Sequence, residues 1–177
     1  MPTARASRRI AAPAEELWAV VSDPHHLPRW WPRVTRVEDV TEDAFTEVMK
    51  TKKGKTVRAD FDLVRLDPGT TTVQWNQLIE GTPFAAALAA SETEVHLEVL
   101  ERDVPGGNGV PATAVTIELR QQLSGGRALQ PSRGAGSAPG LGSRFKGVNL
   151  SWGERLVRKA AQATVDEALA GLERICG

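Results

Sequence analysis

WGERLVRKAAQATVDEALAGLERI, residues 152–175, is the stretch on which the fold turns. Its apolar residues Val157, Ala161, Val165, Ala168, Leu172 and Ile175 recur at steps of three and four, which keeps them on one side of a 3.6-residue helix. Ala160, Leu169 and Cys176 widen that stripe, and Arg155, Arg158, Lys159, Gln162, Asp166, Glu167 and Arg174 fall mostly outside it. The spacing predicts one amphipathic helix from Trp152 to Ile175, roughly 35 Å long at about 1.5 Å per residue. Ser151 followed by Glu154 fits a capping box at its start. Small residues fill the middle (Ala160, Ala161, Ala163, Thr164, Ala168) and bulky ones stand toward the ends (Trp152, Leu156, Leu172). A helix this long must lie on something, and a surface curled over its alanine-rich middle would leave room for a ligand.

Outward from the helix, the chain before it supplies that surface. Residues 124–147 are rich in Gly, Ser, Pro and Ala and read as a connector, or as a lid whose apolar contacts would be Leu141 and Phe145. Upstream of it the period is two. Strands are predicted over Val34–Val40, Phe45–Lys52, Thr56–Leu66, Thr71–Glu80, Thr93–Val99 and Thr113–Leu123. Turn sequences separate several of them: Lys53-Gly54-Lys55, Asp67-Pro68-Gly69, and Pro105 to Gly109. Thr93, Val95, Leu97 and Val99 against Glu92, Glu94, His96 and Glu98 make the cleanest half-buried strand. Phe84–Ala90 is alanine-rich and reads as a helical turn. Thr3–Ile10 is a first strand. Pro13, with Glu15 and Glu16 behind it, opens a short helix, and Asp23-Pro24 opens a second that Trp30-Trp31-Pro32 ends. The order is therefore strand, two short helices, six strands, long helix. Short turns make the strands an antiparallel meander with one face for the helix stripe to cover. No repeat or linker divides residues 1–177, so one α+β domain is expected.

Composition narrows the function. Of 177 residues, 41% are hydrophobic and 25% charged, as in ordinary globular proteins. Lys plus Arg and Asp plus Glu number 22 each, so no global field favours nucleic acid or anionic membranes. The single Cys176, the lack of a signal-like leader and the lack of 18 consecutive apolar residues point to a cytoplasmic protein without membrane insertion. Three histidines and one cysteine without ligand spacing argue against a metal site, and no cofactor is expected. Gly54-Lys55-Thr56 has Met49 where a phosphate-binding loop needs its first glycine, and Gly134-x-Gly136 is followed by Pro139, so neither is a nucleotide motif.

The N-terminal residues carry a family likeness. Ile10-Ala11-Ala12-Pro13-Ala14-Glu15-Glu16-Leu17-Trp18, then Val21-Ser22-Asp23-Pro24, then Leu27-Pro28-Arg29-Trp30-Trp31-Pro32-Arg33-Val34 together resemble the opening of the START-like (SRPBCC) superfamily. That group includes polyketide cyclase/dehydrase and lipid-transport proteins and their Bet v 1-like relatives. The resemblance implies a helix-grip fold: a seven-stranded antiparallel sheet wrapped around the C-terminal helix, two short helices between strands one and two, and a cavity that receives an apolar small molecule. The chain has no tyrosine, which removes one acid open to some cyclase-type members.

The residues expected to line the cavity are Trp30, Trp31, Phe61, Trp75, Gln77, Leu97 and Ile117, faced by Trp152, Leu156 and Ala160 of the helix. Two consecutive tryptophans cannot both point inward, so one of Trp30 and Trp31 should fill the core and the other meet a ligand or the surface. Glu47 and Gln77 are polar residues on strands where period two is able to turn them inward. A buried, unpaired carboxylate or amide costs a few kcal/mol, so Glu47 is expected at a solvent-facing rim. Binding or transport of a hydrophobic small molecule is the first functional reading. The second is a cyclase, aromatase or dehydratase, which requires an inward titratable group among His25, His26, Glu47 and Asp60. The third is a module for a protein partner, which a large exposed apolar patch with no deep cavity would favour over the other two. The lysines around Lys53 and Lys55 form a solvated basic hairpin with the capacity for an anionic group.

Overall fold

The computed structural model describes residues 2–101, 109–124 and 148–177, with side chains described except at 101 and 148–152. Strand β1 (Thr3–Ile10) leads into helix α1 (Ala14–Val21), then a 3-10 turn (Pro24–His26) that runs into α2 (Leu27–Trp30). Strands β2 (Val34–Glu38), β3 (Ala44–Lys50), β4 (Thr56–Asp67) and β5 (Thr72–Gln77) follow. After a second 3-10 turn (Pro83–Ala86) come β6 (Leu88–Glu101), β7 (Ala112–Leu123) and the long helix α3 (Val148–Cys176). The seven strands form one antiparallel sheet in the order β1-β7-β6-β5-β4-β3-β2. The strands β2 to β7 are thus a meander, and β1 docks on the far side of β7, so consecutive strands β1 and β2 occupy opposite edges. The fold is the helix-grip arrangement that the opening residues imply.

Local chemistry explains the turns that make the sheet curl. The Asp23 carboxylate accepts a 2.9 Å hydrogen bond from the His25 N–H, which caps the turn beginning at Pro24. Trp31 is extended because Pro32 excludes the helical region, and Arg33, with φ of 67°, completes the turn into β2. The Asp67 carboxylate accepts from the N–H groups of Gly69 and Thr70 and from the Thr70 hydroxyl, closing the β4–β5 turn. These bonds, together with the neighbouring Arg65 guanidinium, hold its pKa down at about 2. Bulge-like register shifts in β4 near Leu63–Arg65 and in β6 near Val99–Glu101 bend the long strands.

One half of the concave face is solidly filled. Val95, Leu97, Val115 and Ile117 of the sheet meet Val165, Ala168, Leu169 and Leu172 of α3, each at most 2% exposed. Gly171 sets how closely α3 approaches α2, since a β-carbon there would lie 2.4 Å from the Trp30 carbonyl oxygen.

Several boundaries depart from the sequence reading. Helix α3 begins at Val148, so Ser151 is inside the helix rather than its cap. Phe84–Ala90 is a helical turn only through Ala86. From Leu88 the chain is already strand β6, paired as Leu88 with Leu123 and Ala90 with Gln122. The backbone ladder to β7 overrides the weak strand preference of alanine. Residues 125–147, with Leu141 and Phe145, lie outside the described residues.

Candidate functional site

Beyond the filled half, the sheet and α3 part to leave a cavity of about 230 Å³. Ala160, Ala161 and Thr164 form its helical side. The stretch without large side chains is therefore opposite the open space, while the larger Val165, Leu169 and Leu172 close the other end. Its aromatic wall is Trp31, Phe61, Trp75 and Phe84, with Met49, Leu88 and Leu119 adding apolar surface. Trp31 and Trp75 meet edge to face with centroids 5.7 Å apart, and Trp30 backs both, at 5.3 and 6.5 Å. Phe45 stacks on Phe61 at 5.2 Å and fixes that ring from behind. Such contacts hold the wall in one shape.

Polar groups are few and come from one end of the strands. Register carries a row across the sheet: Phe45 opposite Phe61, Phe61 opposite Gln77, and, between the next pair, Ser91 opposite Gln121. Trp75 is opposite Thr93 in the neighbouring row. Gln77, Ser91, Thr93 and Gln121 all line the cavity. Arg33 is exposed and lines it as well.

Glu47 is the unusual member of the wall. Period two on β3 places it on the same face as Phe45 and Met49, while Thr46 and Val48 face the other way. Its cross-strand neighbours are Val37 on β2 and Ala59 on β4, neither of which can bond a carboxyl group. The side chain is 1% exposed, and neither carboxyl oxygen has a hydrogen-bond partner among the described residues. Burial pushes its pKa up from 4.5 to about 8, so Glu47 is mainly protonated at neutral pH. The rim position expected for Glu47 is therefore wrong: the parity of β3 outweighs the cost of burying a carboxyl, and that cost is lowered by keeping the proton.

The expected lining residues separate into groups. Trp31, Phe61, Trp75, Gln77 and Ala160 are brought together around the cavity. Trp30, Leu97 and Ile117 are 2% exposed or less and sit in the packed core instead, because the sheet closes on α3 where they lie. Leu156 is 48% exposed and does not face the sheet. The Trp152 side chain lies outside the described residues. Of the titratable candidates, Asp60 is exposed on the outer face, accepting a 2.6 Å bond from the Thr46 hydroxyl. His25 is exposed and bonded to Asp23 at 2.8 Å, and His26 is 3.1 Å from Arg29. Neither histidine lines the cavity, which leaves Glu47 as the acid within it among the described residues. Sequence reasoning gives Met49, Ser91, Thr93 and Gln121 no site role. Their signal is parity along their own strands: Met49 with Glu47 on β3, Ser91 and Thr93 with Val95 and Leu97 on β6, and Gln121 with Ile117 on β7.

The geometry defines a class first. A seven-stranded antiparallel sheet gripping a C-terminal helix over an internal cavity is the START-like fold, and solved structures share it. A START superfamily protein from Mycobacterium smegmatis is 14% identical, with 98% of this chain and 96% of that chain covered and a TM-score of 0.62. A protein from Thermus thermophilus is 20% identical, with coverages of 98% and 95% and a TM-score of 0.62. The di-domain ARO/CYC protein BexL from the BE-7585A biosynthetic pathway is 16% identical over 98% of this chain and 46% of its own length, with a TM-score of 0.67. No curated protein matches the sequence. The sequence matches the family described as "Polyketide cyclase / dehydrase and lipid transport" over residues 1–177, and the chain belongs to that family.

Proposed function

We propose that this protein binds a small, largely apolar molecule, with the ligand seated between the sheet and α3 against Trp31, Phe61 and Trp75. The supporting observation is the cavity of about 230 Å³ beside the closely packed core. About 150 Å³ admits a benzene molecule, so this space suits a body of one or two fused rings. Gln77, Ser91, Thr93 and Gln121 supply the few polar contacts that orient a ligand in a mainly apolar pocket. Native mass spectrometry of the purified protein, with titration of its tryptophan fluorescence by naphthalene derivatives, tests the reading. A retained small molecule, or saturable quenching lost in Trp31→Ala, is the expected result. No retained ligand and no response to any probe would end it.

A second reading, an enzyme of the cyclase, aromatase or dehydratase type, draws support from Glu47, a titratable group in the cavity wall. A protonated carboxyl beside an enclosed, folded chain has the properties of a general acid. On that reading Glu47→Gln stops turnover of a reactive polyketone while leaving its binding intact. The protein-module reading, which a large exposed apolar patch with no deep cavity would favour, has no comparable support.

A further inference from the structure

The binding reading leaves open which polar group a ligand carries, and the surroundings of Glu47 narrow it. Both oxygens of this side chain are buried and, among the described residues, unpaired, in a wall where the adjoining strands present Val37 and Ala59. A carboxyl group in such a place is relieved by one of two ligand chemistries: an acceptor oxygen that takes its proton in a hydrogen bond, or a cation that pairs with its ionised form.

The charges nearby favour the first. Among the described residues lining the cavity, Arg33 is the one charged group besides Glu47, and it is a cation at the rim. On β2, Arg36 is bonded to Glu38. On β4, Arg58 is bonded to Glu38 and Asp39, and Asp60 to Thr46, all away from the cavity. On α3, the cavity-lining residues are Ala160, Ala161 and Thr164, which are uncharged. Lys50, Lys52, Lys53 and Lys55 stand exposed at and beyond the end of β3, next to the Arg33 turn, whose carbonyl accepts from the Lys50 N–H at 3.1 Å. A cationic ligand would approach past these positive groups to reach a carboxyl that none of the described cations holds ionised.

We infer that Glu47 acts as a neutral hydrogen-bond donor inside the cavity and selects ring-bearing ligands that carry a carbonyl-type acceptor oxygen over isosteric hydrocarbons and amines. This rests on the binding reading above. Burial is the cause of the raised pKa, and it keeps the donor proton in place up to about pH 8. The selectivity should therefore persist at and below neutral pH and fade as pH rises through that value, because an ionised carboxylate repels an acceptor oxygen.

Three matched probes test it by calorimetry and tryptophan fluorescence on the full-length protein: acetylnaphthalene, isopropylnaphthalene and naphthylethylamine. At pH 6 the ketone should bind about tenfold more tightly than the hydrocarbon, the worth of one net hydrogen bond. That ratio should fall toward unity above about pH 9. In Glu47→Gln, whose amide still donates, the preference for the ketone should survive with its pH dependence gone. In Glu47→Leu the preference should disappear. The pH profile of the unaltered protein needs no variant to fold. Equal binding of ketone and hydrocarbon at pH 6 would overturn the role of Glu47 and leave the cavity reading standing. Tightest binding of the amine, strengthening as pH rises, would overturn it in favour of a cationic ligand. If none of the three probes binds, both readings fall.

Discussion

Glu47 makes the stability of the protein depend on pH in a direction opposite to that of an ordinary salt-bridged carboxylate. Its pKa is near 4.5 when exposed and about 8 in the folded state, so between those values the folded protein holds a proton that the unfolded chain has released. The stabilising effect of that proton is complete below about pH 4.5 and is lost as pH rises to about 8. Each tenfold difference in proton affinity between the two states is worth about 1.4 kcal/mol, so the change is roughly 3–5 kcal/mol. Denaturant titrations should therefore show Glu47→Gln gaining stability relative to the unaltered protein between pH 5 and pH 9. A constant difference across that range would mean that Glu47 is not held protonated. The paired tryptophans give a second contrast. Trp30 is 2% exposed and Trp31 only half-buried, so Trp30→Ala should cost about 3–5 kcal/mol, whereas Trp31→Ala should cost much less and weaken ligand binding. Comparable unfolding midpoints for the two variants would contradict this division. Sequence alone predicts that one indole goes inward, but the two are adjacent and chemically identical. Only the α2–α3 contact decides between them.

At the scale of elements, the closest constraint is the crossing of α3 over α2. Alanine is favoured over glycine in a helix by about 1 kcal/mol. At position 171 the added carbon would meet the Trp30 backbone, which cannot step aside as a flexible side chain would. Gly171→Ala should therefore destabilise by about 1–3 kcal/mol. Chemical denaturation giving an unchanged or higher midpoint would show that α2 can withdraw without loss. The elements themselves are largely legible: the period-two runs locate the strands, and the stripe Val157, Ala161, Val165, Ala168, Leu172 locates the face of α3. Where the signal fails, tertiary pairing is the main reason. Leu88–Ala90 has no strand pattern of its own and is held by β7. Leu156 is apolar but one step off the buried stripe, and it ends at the surface. Glu47 escapes a reading by pattern because its burial is intelligible only once the carboxyl is seen to keep its proton, a state that composition and period do not reveal.

For the molecule as a whole, stability is unevenly distributed. The half where Val95, Ile117, Val165 and Leu172 interlock is solid, and the half around Gln77, Ser91 and Gln121 borders open space. Amide exchange in the free protein should be slowest in the first half, and a bound probe should slow it chiefly in the second. A ligand present at a hundred times its Kd should add about 2.7 kcal/mol of stability. A probe that raised protection evenly along every strand would place the weak region elsewhere. The cavity is foreseeable in kind from the small residues of α3, but its extent is not, since that depends on how far each strand bends. The position of β1 bears on how the molecule assembles. It is made first, yet its partner is β7, and the bond between Ser7 and Thr116 spans 109 residues. A growing chain emerging from the ribosome must carry β1 unpaired while the meander from β2 onward is laid down, and closing so long a loop is entropically costly. Pulse-labelled refolding should accordingly find the β1 amides among the last to become protected, so that the N-terminal strand acts as the latch that completes the sheet.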